Sequence, residues 1–180
     1  MNSVFTQVTS LCLTLIFCSC LTPATSFAQK TGEKPLTEGD LLQIAVQNIC
    51  PVMGAELGSM GTPIKVRIGS QDSYLCCASC VGKEVNATHW KTIQTNIAKA
   101  QVNCPIMGMP VDASMESTVV DGRQIFVCCP PCIKKIQADT ATAIAKVNHE
   151  NGRYIQQGLA KQNEALQIAA QKICPVSGQL

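Results

Sequence analysis

Eight cysteines stand in two sets of the same order. Cys50, Cys76, Cys77 and Cys80 read Cys-x25-Cys-Cys-x2-Cys, and Cys104, Cys128, Cys129 and Cys132 read Cys-x23-Cys-Cys-x2-Cys. The thiolate is both a metal ligand and a nucleophile, so the pattern admits three chemistries. Four thiolates can hold a soft or borderline metal ion tetrahedrally. The same sulfurs can pair as structural disulfides in an oxidising compartment. The pairs Cys77/Cys80 and Cys129/Cys132 can also run thiol-disulfide exchange, since Cys-x-x-Cys at a helix start is a redox signature. Adjacent cysteines reach disulfide geometry only with strain, which argues for separate partners or a metal. His89 and His149 are ligand types, but neither recurs in the other set, so they read as surface or helix-end residues. No paired carboxylates, Ser/His/Asp set or phosphate loop stands out, and the reading is non-enzymatic.

The elements that must position these sulfurs repeat with them. Cys50-Pro51-Val52-Met53-Gly54 recurs as Cys104-Pro105-Ile106-Met107-Gly108 and again as Cys174-Pro175-Val176-Ser177-Gly178, an internal repeat. The third copy has only its first cysteine before Leu180, and Leu166–Ile173 matches Leu42–Ile49, so the larger period is about 124 residues. The expectation is a truncated array or a degenerate paralogue of one.

Between knuckle and cluster, Thr118–Val120, Asp121-Gly122 and Gln124–Val127 predict a hairpin, because Asp-Gly supplies the positive φ of a two-residue turn. Ile64–Ile68 and Ser73–Leu75 predict its counterpart, turning through Gly69-Ser70. Thr37 to Gln47 reads as a helix capped by Thr37, and Tyr154 to Lys172 as another. Their apolar stripes suit core packing or, less well, another chain. A helix is expected after each cluster, roughly Val81 to Gln101 and Ile133 to Asn148. A helix mouth after a hairpin favours thiolates through its dipole and suits tetrahedral coordination.

Composition narrows the rest. Fourteen Lys plus Arg against twelve Asp plus Glu leave a formal charge of +2, with no basic field of the kind nucleic-acid binders use. No charged side chain precedes Lys30, and an apolar run from Leu11 to Leu21 leads to Ser26-Phe27-Ala28. This predicts an export signal cut after Ala28. The run is about eleven residues, against about twenty for a membrane span, so the mature chain is expected to lack a span and to be periplasmic or extracellular. Cys18 and Cys20 raise lipidation as a lesser alternative. After cleavage nine cysteines remain, and Cys174 is left over to link two chains in a dimer.

The cysteine pattern and its neighbours resemble the YHS and TRASH families of heavy-metal-associated domains. Those families run from a Cys-Pro-x-x-Gly knuckle through a hairpin to an aromatic residue, then a Cys-x3-Cys pair opening a helix. The matching positions are Cys50, Tyr74, Cys76 and Cys80, then Cys104, Phe126, Cys128 and Cys132. The resemblance implies treble-clef-like modules and a role in sensing, carrying or resisting metals such as copper or zinc. Where many members have a second knuckle cysteine this chain has Met53 and Met107. Thioether ligands would favour Cu(I), although packing under the hairpin is the plainer expectation for them. Cys77 and Cys129, additional to the Cys-x3-Cys pairs, could restore the fourth sulfur.

The expected architecture is therefore α+β: signal peptide 1–28, linker and helix 29–49, module 1 over 50–102, module 2 over 103–148, a connecting helix 149–173 and the start of a third module, 174–180. About one Zn or Cu(I) ion is expected per module. The rivals are a disulfide-stapled structural or interaction repeat and a Cys-x-x-Cys oxidoreductase. The mature chain has only four aromatic residues, Tyr74, Trp90, Phe126 and Tyr154, and modules this small need such a staple.

Overall fold

The computed structural model describes residues 35–170, with side chains as far as residue 167. The expected signal peptide, Cys18, Cys20, Cys174 and the third knuckle lie outside the described residues. The described residues are α+β, with four α-helices and two separate two-stranded antiparallel sheets among them. No helix among the described residues is long and apolar enough to cross a membrane.

Helix α1 spans Glu38–Gln47 and starts where the sequence predicts. Thr37 Oγ1 accepts from the Asp40 backbone N–H at 3.2 Å, and the Asp40 carboxylate accepts from the Thr37 N–H at 2.8 Å, a reciprocal cap. The helix stops at Asn48, whose φ is +65°, where the Ile49 N–H turns back to the Gln47 carbonyl at 2.8 Å. The knuckle follows. The Cys50 N–H donates to the Ala55 carbonyl and the Gly54 N–H to the Cys50 carbonyl, while Ile49 bridges Glu56.

Strands β1 (Ile64–Ile68) and β2 (Gln71–Leu75) pair in the expected hairpin. Its two-residue turn has glycine, Gly69 at φ +61°, in first place. Helix α2 spans Ala87–Gln101 and ends as α1 does: Val102 has φ +60°, and the Asn103 N–H donates to the Gln101 carbonyl at 2.6 Å. The second knuckle repeats the first bond for bond, Cys104 N–H to the Met109 carbonyl and Gly108 N–H to the Cys104 carbonyl. Gly54 and Gly108 take φ of +72° and +67°, which a residue with a Cβ adopts only at a cost. Strands β3 (Ser117–Val120) and β4 (Arg123–Phe126) turn through Asp121 and Gly122, both at positive φ.

The helices after the clusters depart from expectation. After Cys77 there is only one 3-10 turn, Ala78–Cys80, and α2 begins at Ala87 and not near Val81. Gly82 at φ +74° breaks the helix, and Asn86 restarts it by accepting from the Thr88 and His89 N–H groups. After Cys129 a true helix forms, α3 over Pro130–Ala138, because proline fits the first turn. It breaks at Asp139, and α4 then runs unbroken over Thr140–Ala170, about 46 Å at 1.5 Å per residue. The helices expected to end at Asn148 and to begin at Tyr154 are therefore one, and the polar residues between them lie inside it.

Two cores result. The first gathers Cys50, Leu75, Cys76 and Cys80, and the second gathers Cys104, Ile125, Val127, Cys132, Ile136, Ala143 and Val147. Helix α4 packs on α1 and α2, but its later turns do not serve as core: Tyr154, Leu159 and Leu166 are exposed. The stripe expected to be buried over Tyr154 to Lys172 thus largely faces solvent as far as the described side chains extend.

Candidate metal centre

Each centre takes one sulfur from the knuckle and the others from the segment after the hairpin. Cys50, Cys76 and Cys80 lie within 4.8 Å of one another, as do Cys104, Cys128 and Cys132. Cys77 and Cys129 are not members of these two groups. In module 1, Cys50 and Cys80 sulfurs are 3.8 Å apart and Cys76 and Cys80 3.7 Å. Cys77 adds contacts of 3.8 Å to both Cys76 and Cys80. In module 2 the Cys128–Cys129 separation is 3.8 Å, Cys128–Cys132 4.0 Å and Cys129–Cys132 3.2 Å. Sulfurs at the corners of a tetrahedron with Zn–S near 2.3 Å stand about 3.8 Å apart. All eight cysteines carry free thiols.

Burial grades the sulfurs. Cys50, Cys76, Cys80, Cys104 and Cys132 are at most 2% exposed, whereas Cys77, Cys128 and Cys129 are half-buried. Their acidities follow. Burial pushes Cys76 up to about 12, and Cys80, Cys128 and Cys132 rise for the same reason. Burial also opposes ionisation at Cys50, but backbone N–H groups of Met53, Cys76 and Val52 point at its sulfur and together hold the thiol below its ordinary value. The N–H groups of Cys128, Met107 and Ile106 do the same for Cys104. Cys77 falls to about 7, chiefly through the Ser79 hydroxyl 3.0 Å away. Cys129 is lowered by its bond with Cys132.

One residue type that fixes this geometry escapes the cysteine pattern. At the end of α1, buried Gln47 donates from Nε2 to the carbonyls of Ile49 and Tyr74 and accepts at Oε1 from the Tyr74 N–H, at 2.9, 2.7 and 3.0 Å. At the end of α2, Gln101 makes the same three bonds to Asn103 and Phe126, at 3.1, 2.7 and 2.8 Å. Each glutamine ties the knuckle to the strand residue two places before the cluster. The signal was present in the sequence: Gln47, Gln101 and Gln171 each stand three residues before a knuckle cysteine.

Met53 and Met107 do not pack under the hairpins. Their side chains are 56% and 57% exposed, because the knuckle turns its N–H groups inward and these side chains outward. His89 lies in the first turn of α2 with its ring against Gly54, where an added Cβ would come within 2.6 Å of Nε2. His149 is exposed in the middle of α4. Neither joins a sulfur group.

Comparison with protein-family models, with curated proteins and with solved structures returns no match for this chain.

Proposed function

We propose that this is an exported, non-enzymatic metal-binding protein that holds one soft or borderline ion, Zn or Cu(I), in each module, in the manner of the YHS and TRASH domains its motifs resemble. The observation that carries the reading is the pair of sulfur triads, spaced as a thiolate-bound ion requires. The knuckle N–H groups support it, because they stabilise charge on Cys50 and Cys104 before any ion arrives. Thiols held above their ordinary values, Cys76 and Cys132 among them, must lose protons on coordination, so uptake releases protons and acid releases the ion. The ligands of module 1 are Cys50, Cys76 and Cys80 with Cys77, and those of module 2 are Cys104, Cys128 and Cys132 with Cys129. The test is mass spectrometry of bound metal with a count of free thiols on protein purified without chelator. About two ions per chain with reduced sulfurs is the expected result. No metal and few free thiols would replace the reading with a disulfide-stapled scaffold.

One observation favours a second reading. Half-buried Cys77, lowered to about 7, stands 3.8 Å from buried Cys80, which is raised. This is the arrangement of an attacking and a resolving thiol. Insulin reduction by dithiothreitol tests it, and no acceleration removes it.

A further inference from the structure

The four sulfurs of each module are not equivalent in access. In module 1, Cys50, Cys76 and Cys80 are closed off by the knuckle and the hairpin. Cys77 is half-buried, beside the exposed residues Ala78 and Ser79, and touches Cys76 and Cys80. In module 2, Cys129 holds the same place, next to exposed Pro130 and Pro131 and against Cys128 and Cys132. In module 1 an incoming ligand meets Cys77 before the three buried sulfurs of the triad, and in module 2 it meets Cys129, with half-buried Cys128 beside it, before buried Cys104 and Cys132. Both modules present it by the same backbone device, an extended residue with φ of −164° at Cys77 and −163° at Cys129, directly before a helical turn that carries the last triad cysteine inward.

Building on the metal-binding reading, we propose that Cys77 and Cys129 are the exchange sulfurs of the two sites, through which the ion passes to or from a thiol-bearing partner. The triad retains the ion during the step. The partner's sulfur bonds to the metal as the metal–Cys77 bond breaks, and the proton of the partner's thiol passes to the released Cys77 thiolate. The metal keeps its charge, and no electron is transferred. A second exchange at the triad then completes the transfer. This assigns a carrier's role to the centre.

The test alkylates the purified protein, loaded with Zn(II) and counted for metal, with limiting N-ethylmaleimide. Labelled positions are then located by peptide mass spectrometry, and retained zinc is measured at each stage. The expected result is labelling at Cys77 and Cys129 at least tenfold ahead of the buried cysteines Cys50, Cys76, Cys80, Cys104 and Cys132, with both ions still bound when two labels per chain are in place. Zinc bound but all sulfurs labelled together, or zinc lost in step with the first label, overturns the exchange role and leaves metal binding standing. Failure to retain zinc before labelling overturns the metal-binding reading itself. A variant with Cys77→Ser and Cys129→Ser is the control: it should lose the fast-labelling class entirely. Persistence of that class in the variant would also overturn the assignment.

Discussion

The two modules hold their sulfurs by the same bonds and support them by opposite means. Both use a γ-turn of positive φ to end a helix, a glutamine clamp, a knuckle of inward N–H groups and a hairpin. Around that shared frame, module 1 is polar. The Tyr74 hydroxyl donates to Asp40 at 2.7 Å, Lys65 bridges Asp40 and Asp72, and Arg67 reaches Asp72. Module 2 has Phe126 where module 1 has Tyr74. Its support is the apolar underside of α3 and α4, with Ile125, Val127, Ile136, Ala143 and Val147 buried. The divergence begins at Gly82, which stops the turn after Cys80, where Lys134 lets α3 continue past Cys132 to Ile136. The frame around the sulfurs is thus the fixed part of the design, and either electrostatics or apolar burial can hold it in place.

The largest effect should come from removing ligands in one module only. Cys128→Ser with Cys132→Ser should reduce bound metal from about two ions to about one, with the survivor in module 1. The stability that bound metal adds to module 2 should vanish with it. Metal counting with hydrogen exchange of each hairpin checks both parts. Unchanged stoichiometry would mean that the triads are not the ligands.

Next comes the clamp. Gln101→Ala strands the Phe126 N–H and two carbonyls in a buried place, and each unpaired group costs about 1–3 kcal/mol. Gln47→Ala should cost the same in module 1, where the Ser73 hydroxyl also donates to Gln47 Oε1. Denaturant titration of the metal-free protein measures the loss. If only one variant were destabilised, the modules would not share a frame.

Acid should then separate the modules. Burial opposes ionisation of Asp40, but hydrogen bonds from Lys65, Tyr74 and Thr37 outweigh it and hold the carboxyl well below the ordinary range. Its contribution to stability is therefore fully present above the unfolded carboxyl value near about 3.9 and is lost as pH falls below it. The equivalent place in module 2, seven residues before the clamp, is Gln94, which does not titrate. Asp112 and Asp139 are also held low, by Ser114 and Thr142, but both are exposed, so protonating them should cost module 2 less. Hydrogen exchange on metal-free protein from pH 5 downward should find module 1 opening first. Asp40→Asn should remove most of that difference. Tyr74→Phe, which copies module 2 into module 1, should cost about 1 kcal/mol at neutral pH.

Much of this was legible in residue types with a strong local preference. Thr37 and Asp40 announced a capped helix, Asp121-Gly122 a hairpin, and the spacing of sulfurs two convergent sites. The rest depended on contacts between distant segments. A glutamine at a helix end reads as surface until a hairpin folds over it, and only its threefold recurrence before a knuckle cysteine could have marked Gln47 and Gln101. Asn148–Gly152 reads as a break by composition, yet Asn148 and Asn151 lie in α4, where Arg123 bonds to the Asn148 side chain and Asn151 is buried. Packing there outweighs the poor helix propensity of asparagine and glycine.

The smallest expected effect has the opposite sign. Asn48 and Val102 centre the same positive-φ turn, each closed by a backbone bond from the residue after it to the clamp glutamine's carbonyl. The turn is strained for any residue with a side chain, and a β-branched residue at positive φ is a marked outlier. Strain of this kind costs about 1–3 kcal/mol and persists where the surroundings impose it. Here they do, because the turn aims the clamp glutamine at the strand and the cysteine at the centre. Val102 is 42% exposed, so little packing is lost on truncation. Val102→Gly should therefore stabilise module 2 by about 1 kcal/mol, after the greater freedom of glycine in the unfolded chain offsets part of the relief. Asn48→Gly should gain less, because asparagine tolerates positive φ better than valine. Thermal melts of the two metal-free variants measure this order directly. A loss of stability in Val102→Gly would show that the valine side chain helps fix the helix-to-knuckle reversal, and the equivalence of the two turns would then hold for the backbone alone.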